Sequence, residues 1–231
     1  MSERITIQEL REVTQPQSVR GRANSEHWVA DLYLRRISPY LTRILLRMNF
    51  TPNAVTWLII LTGLSAALSL LIPGMLGVTL ALVFGQLQML WDCCDGEIAR
   101  WKKQFSPAGI FLDKLGHYLT EALIPIALAK RISENGDFEL LFLGAMISVL
   151  IVLNKGFNDS VHVARAFAQV PKIADSKEVG RQKSTVLRIA RAPFRIFAVQ
   201  RLFHSVEMSL LITIFSASPN LIRYGLPLAV F

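Results

Sequence analysis

The chain has 231 residues, 52% of them hydrophobic, a mean hydropathy of +0.39 and a formal net charge of +8. The apolar residues are gathered into runs, of which 54–72 and 75–91 carry no charge, and runs of that length exclude a soluble globular chain and the short alternation of barrel strands. The expected fold is therefore an all-α integral membrane protein with about six transmembrane helices preceded by an interfacial amphipathic helix. The basic excess has no aromatic-rich surface apart from the spans, so nucleic acid is not an expected partner; membrane lipid is.

Residues 1–26 are polar throughout and lack the apolar core of a signal peptide, so a flexible cytoplasmic tail is expected there. In 27–50, Trp28, Leu32, Tyr40, Leu41, Ile44, Leu45 and Met48 recur at helical spacing, with Arg35, Arg36, Arg43 and Arg47 at other positions. That pattern predicts an amphipathic juxtamembrane helix, broken near Pro39. Thr51-Pro52-Asn53 opens the first span, with Thr51 as N-cap and Pro52 at the first helical position. Pro73-Gly74 marks an outer turn, and a second span runs from Met75 past Trp91 into a polar motif. A mixed helix starts at Ser106-Pro107 and carries Asp113, Lys114, His117 and Glu121, too many ionisable groups for a face turned to lipid. A fourth span begins near Phe138, a fifth near Leu202, and 221–231 is a short sixth. The transmembrane domain is thus expected to occupy 51–231.

Position, more than sum, gives the charge its meaning. Eight of the 25 Lys and Arg residues precede the first span and eight lie between Arg165 and Arg195, so both segments are expected on the cytoplasmic side. Lys130 and Arg131 fall on the outer side, against this trend. Adjacent Cys93 and Cys94 read as small packing residues. Asn154, Lys155 and Asp159 are candidates for an acceptor site or for an interfacial role. His204 and Glu207 read as a helix–helix contact, and Arg188, Arg191 and Arg195 as a basic face for anionic headgroups.

The chemistry concentrates between Asp92 and His117. Residues three or four apart share a helix face, so Asp92 and Asp95 point the same way, and Gly109, Asp113 and His117 stack on the next helix. Carboxylates converging in a partly desolvated site repel unless cations lie between them, and all-oxygen ligands favour Mg²⁺ or Mn²⁺. Gly96, Ala99 and Gly109 remove bulk where the helices meet, and Arg100 is suited to a phosphate. Together these describe a site for a metal-bound diphosphate.

The pattern Asp92-x2-Asp95-Gly96-x2-Ala99-Arg100-x8-Gly109-x3-Asp113-x3-His117 resembles the signature of the CDP-alcohol phosphotransferase (CDP-alcohol phosphatidyltransferase) family, differing only at the last position, where the family has a fourth Asp. Thr51-Pro52-Asn53 with Thr56 also resembles the family's first-helix entrance. The resemblance implies a multi-pass enzyme of the cell membrane, a cavity facing the cytoplasm and a homodimer. It also implies transfer of a phospho-alcohol from a CDP-alcohol donor, CDP-diacylglycerol among them, to an acceptor hydroxyl with release of CMP. By position, Asp92, Asp95 and Asp113 would hold the metal, Gly96, Ala99, Arg100 and Gly109 would line the cytidine diphosphate pocket, and His117 would stand in for the catalytic base. Imidazole, with an ordinary pKa of about 6.5, is a capable base near neutral pH, and Glu121 one turn away can orient it. The alternative is a non-catalytic homologue that binds a CDP-linked ligand without turnover. A transporter is disfavoured by the unbroken phosphate-site motif and the lack of an evident inverted repeat.

Overall fold

The computed structural model describes residues 5–16, 19, 33–133, 136–170 and 205–217, and all the regular structure among them is helical. Among the described residues there are seven α-helices: α1 (Ile7–Thr14), α2 (Arg35–Arg47), α3 (Pro52–Ser69), α4 (Gly74–Lys102), α5 (Pro107–Ile132), α6 (Phe138–Phe167) and α7 (Ser205–Ser216). Three of them, α3, α4 and α6, are long and apolar enough to cross a membrane. These three helices make the chain a multi-pass membrane protein. The 221–231 segment, most of the basic 165–195 connection with Arg188, Arg191 and Arg195, His204, and the Trp28 and Leu32 turns of the juxtamembrane helix lie outside the described residues.

Short connections fold α3 back on α4 and α6 back on α5, and contacts between helices further apart in the chain pack α3 on α5 and α7 on α4. Their starts follow local rules. Thr51 accepts from the Ala54 N–H (3.2 Å) with Pro52 at N1, and Ser106 accepts from the Gly109 N–H (2.9 Å) with Pro107 at N1. The helix α4 ends with Lys103 in the left-handed region (φ 54°), and Gln104 N–H closes back on Ala99 O at 3.0 Å.

One apolar core joins α3, α4, α5, α6 and α7 through Leu70, Val78, Ile124, Ile132, Ile147 and Ile212 among others. Most large apolar side chains of α6 instead point outward, including Phe138, Phe142, Leu150 and Leu153. Such an outward apolar surface suits lipid, where it costs nothing to expose. With little hydrophobic drive between helices in lipid, close approach and polar contacts hold them together. A Cβ on Gly144 would lie 2.5 Å from that of Ala129, and one on Gly63 would run into the buried Gln88–Thr120 hydrogen bond of 2.8 Å. Arg131, which opposed the charge trend, donates to Leu70 O, Ile72 O and Gly74 O. It therefore caps the carbonyls left without partners where α3 ends.

Two expectations change at the N-terminal side. Residues 7–14, inside the expected flexible tail, form a helix whose Leu10 and Thr14 are fully buried. Pro39 does not break α2, which runs through it. Proline removes the donor that would bond Arg35 O, and Gln15 Nε2 takes that carbonyl instead at 2.8 Å. Cys93 and Cys94 are buried and unbridged, in two separate apolar clusters, as packing residues would be.

Candidate active site

The C-terminal half of α4 and the N-terminal half of α5 form two walls of an open cleft of about 190 Å³, with Pro52 and Asn53 at the start of α3 closing a third side. Asp92, Asp95, Gly96, Ala99, Arg100, Gly109 and Asp113 all line it. The turn at 103–106 brings the two halves of the motif together by returning the chain within four residues. Helical spacing then aligns each half.

Gly109 is needed at the tightest point, since a Cβ there would lie 2.8 Å from Asn53 Oδ1. Thr56 Oγ1 donates to Asp95 Oδ2 at 2.7 Å and fixes that carboxylate against α3. Asp92, Asp113 and His117 each offer a ligand atom within 4.8 Å of the others. Two carboxylates at that separation repel by about 3–4 kcal/mol at an effective dielectric near 20. Asp113 Oδ1 is buried without a hydrogen-bond partner among the described residues. An unpartnered buried oxygen beside a second carboxylate and an imidazole is a donor set that fits a divalent cation. Asp95 lies on the same wall but outside this trio of ligand atoms.

His117 sits behind the cleft wall, its side chain 17% exposed, with Nε2 3.7 Å from Asp92 Oδ1 and 3.6 Å from Asp113 Oδ1. On its other edge Nδ1 faces Glu121 Oε1 at 3.9 Å. Glu121 is buried and pairs with Lys155 Nζ at 2.8 Å, an arrangement that offsets the cost of a buried carboxylate. Lys155 also lies over the Tyr118 ring, and Tyr118 and Lys114 donate to Asp159. Lys155 and Asp159 therefore bridge α6 to α5, whereas Asn154 is exposed and accepts from Asn158 Nδ2.

Glu97 was not singled out from the sequence, although it follows Gly96 directly. It is 1% exposed and accepts from Ser38 Oγ, Thr42 Oγ1 (2.7 Å) and Gln15 Nε2 (2.7 Å). The signal for its partner helix was present: Thr6-x-x-Glu9 has capping-box spacing, and Thr6 Oγ1 accepts from the Glu9 N–H.

A helical membrane protein with an acidic, metal-competent cleft beside a fixed arginine is the class that this geometry defines. The chain belongs to the CDP-alcohol phosphatidyltransferase family, whose profile matches residues 49–216. It is also 35% identical over 105 residues to the bifunctional IPC transferase and DIPP synthase of Aquifex aeolicus (strain VF5). That match covers 45% of this chain but 22% of the relative, so the chain spans well under half the length of that protein.

Proposed function

We propose that this protein is a membrane transferase that moves a phospho-alcohol group from a CDP-alcohol to an acceptor hydroxyl, releasing CMP, in phospholipid or related phosphodiester synthesis. The reading takes residues 51–231 as a domain of about six crossings, acting as a homodimer with its cleft towards the cytoplasm. The observation that carries it is the convergence of Asp92 and Asp113, with His117 behind them, on a cleft also lined by Asp95, Gly96, Arg100 and Gly109. Family membership and the partial match to a transferase support the same chemistry.

Asp92 and Asp113, with Asp95 on the same cleft, would hold Mg²⁺ or Mn²⁺, which would supply neutralisation of the diphosphate charge when bound. Gly96, Ala99 and Gly109 leave room for the diphosphate to approach the helix backbones, and Arg100 offers a planar set of donors to its oxygens. Thr56 keeps Asp95 turned towards the cleft. The acceptor oxygen attacks the phosphorus distal to cytidine, a new P–O bond forms, and the bridging P–O bond breaks with its electron pair leaving on CMP. His117 takes the acceptor proton at Nε2, and Glu121, anchored by Lys155, holds the other edge of the ring.

The test is CMP release by purified protein in vesicles, supplied with a panel of CDP-alcohols and candidate acceptors. The expected result is release that stops on chelation, returns with Mg²⁺ or Mn²⁺, falls at least about 100-fold in His117→Ala and persists in His117→Asp. Metal-dependent CDP binding without CMP release from any donor would instead identify a binding protein. Undiminished turnover in His117→Ala would remove the proposed base.

A further inference from the structure

Helix α1 ends against Arg100, a residue of the cleft wall, and nothing in the transfer reaction so far uses it. Its placement is set by one apolar anchor and three polar ones. Leu10 is fully buried among Leu45, Leu46, Val55, Cys94 and Ile98, which wedges α1 between α2 and α4. Arg11 Nη2 donates to Arg36 O at 3.1 Å, and Gln15 Nε2 donates both to Arg35 O, the carbonyl freed by Pro39, and to Glu97 Oε1. The last anchor is the informative one. Thr14 is the final residue of α1, so its carbonyl has no intrahelical donor and carries the negative end of the helix dipole. Arg100 Nε donates to that carbonyl at 2.5 Å.

Glu97 and Arg100 are three residues apart and share a face of α4. The end of α1 thus grips that face twice, at a buried carboxylate and at the guanidinium next to it. With Nε engaged, the rest of the planar fork is directed over Gly96: a Cβ there would lie 3.1 Å from Nη1 and 3.2 Å from Nη2. This is where the bared backbone borders the cleft. Without α1, Arg100 loses the bond at Nε, and more of its long side chain must be ordered when an anion binds.

We infer that α1 is a positioning element of the donor site, holding Arg100 through the Thr14 carbonyl in the pose that receives the diphosphate. The inference rests on the reading of the cleft as a CDP-alcohol site and extends that site to a segment outside the matched family region, residues 49–216. It makes the N-terminal residues contributors to donor affinity and not simply a cover for an apolar patch.

The experiment is a double-mutant cycle on the full-length protein in detergent micelles, with CDP binding in the presence of Mg²⁺ measured by calorimetry. Gln15→Ala loosens the end of α1 while leaving its apolar seat intact, and Leu10→Asp unseats the helix. If Leu10→Asp fails to fold, Gln15→Ala carries the cycle alone. In the native background each is expected to weaken CDP about 2- to 12-fold, the cost of immobilising one long side chain. In an Arg100→Ala background the same changes are expected to have no further effect. Equal weakening with and without Arg100, or no weakening of CDP binding by the native protein's α1 variants, would overturn the inference while leaving the transferase reading intact. Failure of the unmutated protein to bind CDP would overturn both.

Discussion

Thr56→Val isolates the contribution of one hydroxyl to the geometry of the acidic cleft. Thr56 is fully buried on α3 and its Oγ1 lies 2.7 Å from Asp95 Oδ2. Valine has the same shape, so the helix contacts survive and only the donor is lost. A hydrogen bond to a charged acceptor contributes about 1.5–3 kcal/mol, which sets a ceiling of roughly 10- to 150-fold on any affinity that depends on it. Asp95 borders an open cleft, where water replaces part of the lost bond, so the expected loss lies near the lower end, about tenfold. Calorimetric titration of the purified protein with CDP and Mg²⁺ measures it without knowledge of the acceptor. Thr56→Ser, which keeps the hydroxyl, is the control and should stay within about threefold of the unmutated protein. If Thr56→Val binds CDP as tightly as the native chain at unchanged thermal stability, orientation of Asp95 by α3 plays no part in the site.

Three other substitutions separate site from scaffold. Gly109→Ala places a methyl 2.8 Å from Asn53 Oδ1; because that atom ends a side chain that can swing, the fold should persist while CDP affinity drops about tenfold or more, and an unchanged affinity would show that this corner of the cleft is not occupied. Gly63→Ala drives a methyl to 1.9 Å from Thr120 Oγ1, and unfolding in micelles should show a loss of about 3 kcal/mol that Thr120→Ala in the same chain partly restores; strict additivity would refute the collision. Arg131→Ala strips a charged donor from three carbonyls at the α3–α4 turn, for an expected loss of about 1–2 kcal/mol in stability with CDP binding unaffected; a parallel loss of CDP affinity would contradict its purely structural role.

The sequence by itself determined the membrane-spanning class, because long uncharged runs such as 54–72 have few stable homes other than a bilayer. It also determined most of the cleft: Asp92, Asp95, Gly96, Ala99, Arg100, Gly109 and Asp113 line its two facing walls because helical spacing and a four-residue turn leave their faces little choice. The caps at Thr51 and Ser106 were legible for the same local reason. What only the tertiary structure decided involves groups far apart in the chain. Helical periodicity cannot tell that Asp95 is held by Thr56 while His117 joins Asp92 and Asp113, since these contacts depend on how α3, α4 and α5 rotate against one another. Nor can composition reveal that a polar N-terminal segment folds back 82 residues to reach Glu97. One buried leucine and a few side-chain bonds, at positions that a hydropathy profile averages away, are enough to order it. Local spacing therefore wrote the two walls of the site, and packing between distant segments chose how they are braced.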